Sequence, residues 1–97
     1  SAGITLALSL CSTLTGREID TRYAMTGEMT LHGSVLPIGG IREKILAAKR
    51  LGIKEIILPE ANKPDTTELG GWVLDGMKLH YVSNISRVFE LALRPGG

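Results

Sequence analysis

Ile41-Arg-Glu-Lys-Ile-Leu-Ala-Ala-Lys-Arg-Leu-Gly52, with Lys54-Glu-Ile-Ile-Leu58 and Pro59 close behind, decides the fold of this chain. In the first segment Ile41, Ile45, Ala48 and Leu51 recur at helical spacing and mark one buried face, while Arg42, Glu43, Lys49 and Arg50 point the other way. The second is a short apolar run closed by proline, which reads as a buried strand. Lys44 breaks the pattern. At about 100° per residue it projects between Ala48 and Leu51, inside the apolar stripe. Two readings fit. A lysine at a helix edge lays its methylenes on apolar surface and lets the ammonium reach water. Alternatively, burial disfavours an ammonium's charge, and a neutral amine is a general base.

Working outward toward the N-terminus, Pro37-Ile-Gly39-Gly40 leads into this helix. Met29-Thr-Leu31 and Ser34-Val-Leu36 flank His32-Gly33, a two-residue hairpin turn in which both central residues tolerate positive φ. Short strands are expected from Thr21 to Leu36, and strand, helix, strand in this order suggests a right-handed crossover. Ser1 to Gly16 reads as a helix with Ser1 as N-cap and Gly16 as the terminating glycine. It carries no charge between Ser1 and Thr15 and should be packed on more than one side. Toward the C-terminus, Pro59 to Gly71 is polar and loop-like, with one helical turn around Glu60 to Lys63. Met77 to Val82 is a further strand. Ser83-Asn84 caps a last helix whose face is Ile85, Val88, Phe89 and Ala92, and residues 94–97 form a frayed tail. The class is α/β (α+β), a small mixed sheet covered by helices.

With 97 residues the chain is at most one domain, or part of a larger one. Eleven basic and ten acidic residues give a formal charge of +1, so there is no electrostatic footprint for nucleic acid or an anionic membrane. Cys11 is the single cysteine, which fits a reducing compartment. No Cys, His and carboxylate spacing suits a metal. The run Ile4 to Leu14 is too short to span a membrane and lacks the basic flank of a signal peptide. The abrupt start suggests a fragment.

Two further residues invite chemistry. Ser1 is a plain helix cap, or a nucleophile placed where orphan N–H groups and the helix dipole favour an alkoxide or oxyanion. Thr26 is strand filler, or a hydroxyl that hydrogen-bonds a buried amine. Gly39-Gly40 lacks the Lys-Ser/Thr continuation of a nucleotide-binding loop. His32 and His80 fall in a turn and a strand without a serine–carboxylate constellation, and Trp72 reads as packing.

Ser1-Ala-Gly-Ile-Thr, Ala24-Met-Thr-Gly-Glu28, Val35-Leu-Pro-Ile-Gly-Gly-Ile-Arg-Glu-Lys44 and Ile57-Leu-Pro together resemble the proteolytic domain of the Lon ATP-dependent serine proteases, in order and over essentially the whole chain. The resemblance implies the Lon proteolytic-domain fold, also that of domain 2 of ribosomal protein S5. It implies that residues 1–97 are the C-terminal part of one such domain, without its upstream strands and ATPase region. It also implies a Ser–Lys dyad of Ser1 and Lys44, separated by 43 positions as in that family, with Thr26 orienting the lysine amine. No cofactor is implied for this chain, since ATP and Mg belong to the ATPase region. The implied partners are unfolded polypeptide substrates and further copies in a homo-hexamer, with no nucleic acid and no membrane. The implied location is the bacterial or archaeal cytoplasm, or the mitochondrial matrix in a eukaryote. A rival is the non-proteolytic C-terminal domain of RadA-type DNA repair ATPases, a scaffold with a related Ser-Ala-Gly opening. Leu36-Pro-Ile-Gly-Gly and Arg42-Glu-Lys44 match Lon better. An N-terminal-nucleophile hydrolase ranks third, because there the nucleophile starts a strand and here Ser1 opens a helix.

Overall fold

The computed structural model describes residues 2–20 and 22–93, with backbone alone at 2, 3 and 5. Ser1 (the expected cap and nucleophile), Thr21 and the tail at 94–97 lie outside the described residues. Eleven elements follow one another in the described chain: α1 (Ala2–Thr15), β1 (Tyr23–Met25), β2 (Glu28–Met29), β3 (Val35–Leu36), α2 (Ile41–Arg50), β4 (Glu55–Pro59), a 3₁₀ turn (Glu60–Asn62), α3 (Lys63–Thr67), α4 (Gly71–Leu74), β5 (Lys78–Val82) and α5 (Ile85–Ala92).

β4 is the centre of a parallel sheet ordered β1-β4-β5. Tyr23 pairs with Glu55 and Met25 with Ile57 on one side, and Ile56 pairs with Leu79 and Pro59 with Val82 on the other. Successive side chains of a strand face opposite ways, and β4 is buried on both faces. Ile57 packs with Ile4, Leu8, Val35, Val88 and Ala92 of α1, β3 and α5. Ile56 and Leu58 pack with Ile41, Ile45, Ala48 and Val73 of α2 and α4. Two helical layers therefore sandwich one short sheet, the α/β class expected. The antiparallel strands stand apart as the β2–β3 hairpin, with Glu28 opposite Leu36 and Met29 opposite Val35. The parallel partner of β4 is thus β1, and the hairpin is inserted before the α2 crossover.

Several expectations need correction. The hairpin turn is longer than His32-Gly33. Thr30 and Ser34 close it, with the Thr30 N–H donating to the Ser34 carbonyl at 2.9 Å and the Gly33 N–H to the Thr30 carbonyl at 3.0 Å. Gly33 alone takes the left-handed conformation, at φ 84°, so His32 is spared it. Among its described side chains, α1 is packed on one side only. Ile4 and Leu8 are buried, whereas Leu6, Leu10 and Leu14 are 56–85% exposed, because 4 and 8 share a face opposite that of 6, 10 and 14. The polar stretch after Pro59 is largely helical and sends Asn62 and Thr66 into the interior. Thr66 bonds the Lys63 carbonyl and the Tyr81 hydroxyl, which a solvated loop would not do. α4 was not expected at all. Its Gly70-Gly71 entry reads as a breaker, and buried Val73 anchors it. Finally, α2 stops at Arg50. Leu51 is its C-cap, 78% exposed, so the apolar stripe narrows to Ile41, Ile45 and Ala48.

Candidate active site

β1 delivers Thr26 to the end of the sheet, where its N–H donates to the Ile57 carbonyl at 3.0 Å. The residue is 2% exposed, and among the described residues its hydroxyl has no hydrogen-bond partner. Leaving a buried hydroxyl unsatisfied costs about 1–3 kcal/mol. Such an atom marks a place where a partner is expected.

Thr26 lines an open cleft of about 550 Å³ whose other wall is α2. Gly39, Gly40, Glu43 and Lys44 contribute the polar part, and Ala24, Met25, Ala48, Ile53 and Ile56 the apolar floor. Gly40, at φ 72° and ψ 29°, turns the chain into α2, and the Lys44 N–H donates to the Gly40 carbonyl at 3.1 Å. Of the two basic residues around Glu43 only Lys44 enters this cleft. Arg42 lies over the Trp72 ring, 5.6 Å from its centroid. Lys44 itself is exposed. The burial expected from an apolar stripe reaching Leu51 is absent, because the face that carries Lys44 and Leu51 opens onto this cleft, which both residues line. Lys44 therefore sits at the lip of the cleft.

The beginning of α1 arrives at the same place. A Cβ on Gly27 would lie 3.1 Å from Ile4 Cδ1, so the first turn of α1 abuts the Thr26-Gly27 segment. Thr26 and Lys44 are thus brought together, while the position of Ser1 falls outside the described residues. Neither histidine lines the cleft. His80 Nε2 lies 3.1 Å from Glu55 Oε1, and His32 is on the exposed hairpin turn. Among the described residues no group of His, Cys, Asp and Glu could hold a metal ion, and no helix is long and apolar enough to cross a membrane.

The family model described as the Lon protease C-terminal proteolytic domain matches residues 1–95. The chain belongs to that family. It is similar to the Lon protease of Porphyromonas gingivalis, 59% identical over 93 residues, which are 96% of this chain and 11% of that protein. It is 50% identical to the Lon protease of Desulfosudis oleivorans over 97 residues, 100% of this chain and 12% of that one. To the Lon protease of Amoebophilus asiaticus it is 54% identical over 95 residues, 98% and 12%. The chain therefore spans about a ninth of the length of these Lon relatives.

Two residues that shape this Lon-type cleft escaped the sequence reading. Gly27, at φ 136°, has no room for a side chain. Its Cβ would stand 2.9 Å from Pro59 Cγ and 3.2 Å from Val35 Cγ1. A glycine interrupting a strand pattern is the available sign of such a close approach. Asn62, 1% exposed, bonds both backbone groups of Ile38. Nothing local marks it, because its partner is 24 positions away.

Proposed function

We propose that this chain carries the peptide-cleaving dyad of an ATP-dependent serine endopeptidase of the Lon type, with Ser1 as nucleophile, Lys44 as general base and Thr26 as the hydroxyl that orients the lysine amine. The observation that carries the reading is the buried Thr26 hydroxyl, without a partner among the described residues, in the same cleft as Lys44 and against the first turn of the helix that Ser1 precedes. Family membership adds the proteolytic assignment. In the proposed reaction the neutral Lys44 amine takes the Ser1 hydroxyl proton as Oγ attacks the scissile carbonyl. The tetrahedral intermediate then collapses, the C–N bond breaks, and the ammonium returns the proton to the leaving amine. Water, deprotonated by the same amine, releases the acyl group and regenerates Ser1. Backbone N–H groups at the start of α1 are suited to the oxyanion. A general base must be uncharged when it takes the proton.

The substrates in this reading are unfolded polypeptides, delivered by the ATPase region of a longer protein that binds ATP and Mg. The assembly is a homo-hexamer in the bacterial cytoplasm, in keeping with the bacterial relatives. The test uses the full-length protein and a fluorescent casein. Ser1→Ala and Lys44→Arg are both expected to reduce hydrolysis to background, since a guanidinium keeps the charge but cannot act as a base at neutral pH. Losing an N-cap costs about 0.5–2 kcal/mol, so the Ser1 variant should fold. Hydrolysis retained in a folded Ser1→Ala protein removes the nucleophile assignment. An active Lys44→Arg protein removes Lys44 as the general base.

A further inference from the structure

The cleft wall formed by Gly39-Gly40 has no side chain of its own to hold it. A Cβ at Gly39 would meet nothing within 4 Å, and one at Gly40 would meet only Glu43 Oε2, at 3.6 Å. Glycine pairs are the most conformationally free stretch a chain can have, and α2 has no side-chain cap at Gly40. On its far side the same pair borders a second depression, lined by Ile38, Asp65, Glu68 and Leu69. The wall is thus a thin backbone ribbon between two open spaces. What restrains it lies one residue earlier. Asn62 Oδ1 accepts from the Ile38 N–H at 2.9 Å, and Asn62 Nδ2 donates to the Ile38 carbonyl at 2.8 Å and to Asp65 Oδ2 at 2.7 Å. The carboxamide stands in for a neighbouring peptide unit, making with Ile38 the paired bonds one strand makes with the next. Asn62 ends the 3₁₀ turn that continues from β4, and β4 also holds Thr26 through the Ile57 carbonyl. Both walls of the cleft therefore hang from one central strand, one directly and the other through Asn62.

We infer that Asn62 is a positioning residue for peptide cleavage: by clamping Ile38 it sets the Gly39-Gly40 ribbon and the start of α2, and through them the reach of Lys44 toward Thr26 and the nucleophile. Asn62 itself does not line the cleft. The inference rests on the dyad reading above. A shift of the order of 1 Å in a reacting group can slow a reaction about 100-fold. Asn62→Ala in the full-length protein is therefore expected to lower kcat for a short fluorogenic peptide by about 10- to 100-fold, with KM changed by less than about threefold and faster amide exchange at Ile38. Asn62→Asp keeps the shape and the acceptor but loses both donors, and faces Asp65. It should show the same fall in kcat and serves if the alanine variant does not fold. Thr66→Val, on the buried side of α3 and bonded to Lys63 and Tyr81, removes two hydrogen bonds without touching Ile38. It should leave kcat and Ile38 exchange at wild-type values. Wild-type kcat in a folded Asn62→Asp or Asn62→Ala protein overturns the positioning role, as does an equal loss in Thr66→Val. If Ser1→Ala and Lys44→Arg remain active, the dyad reading falls and the positioning role falls with it. If those two are dead while the Asn62 variants are unaffected, only the positioning role falls.

Discussion

Thr26 sets stability against function at a single atom. Its hydroxyl is buried and has no partner among the described residues, so Thr26→Val, which keeps the shape and removes the polar atom, should leave the protein as stable or more stable by about 1 kcal/mol. If the hydroxyl orients the Lys44 amine, the same change should lower peptide hydrolysis about tenfold or more. Urea unfolding and peptidase assays on one preparation measure both. A loss of stability together with full activity would make Thr26 strand filler after all. Threonine in a strand is unremarkable in sequence; its hydroxyl made this one a candidate, and the resemblance to Lon gave the candidate its role. Its orphaned hydroxyl depends on what α2, β4 and α1 bring around it, which no local pattern encodes. Lys44 shows the converse. Helical spacing set it apart from Arg42, but not from Glu43, which lines the same cleft, and placed it too deep, because the face it shares with Leu51 opens onto that cleft.

Among the elements, α5 and α2 begin in different ways. At the start of α5, Asn84 adopts extended backbone and its Oδ1 accepts from the Ser86 N–H at 2.9 Å, while Val88 and Ala92 fill the core. Cap and face were both legible, because each depends only on residues within the helix. Asn84→Ala should destabilise the fold by about 1 kcal/mol, read as a lower urea midpoint at unchanged slope. Asn84→Ser should recover most of it. α2 has no such cap, and its position comes from Ile41, Ile45 and Ala48 in the core and from the loop before it. The hairpin was legible as a hairpin but not in its turn. Thr30 Oγ1 accepts from the His32 and Ser34 N–H groups and favours the longer closure, a choice the His32-Gly33 dipeptide does not reveal.

Over the whole molecule, one helical layer is left half covered. Leu6, Leu10 and Leu14 form an exposed stripe on α1, and β1 lies at the edge of its sheet beside the open cleft. An apolar helix face and a free strand edge invite association, and a cleft open to water weakens every electrostatic interaction within it. The 97-residue stretch by itself is therefore expected to self-associate at micromolar concentration and to show no turnover of casein. Light scattering and a fluorescent casein assay check the two. Sustained hydrolysis by the isolated stretch would show that the cleft needs no covering, and would favour the first residue's own amine as the base.

From the sequence by itself came the periods and their punctuation: the helical faces of α2 and α5, the apolar run of β4, the capping asparagine, the α/β class, and Lys44 and Thr26 as residues to watch. These are local properties, carried by spacing within a few residues and by the backbone preferences of Gly, Pro and Asn. Tertiary structure alone decided that β1, not the hairpin, pairs with β4, that α1 buries Ile4 and Leu8 rather than its leucine stripe, that Gly27 is crowded by Ile4 and Pro59, and that Asn62 clamps Ile38. Each of these depends on a partner brought from a distance along the chain, and burial and long-range hydrogen bonds exist only once that partner has arrived.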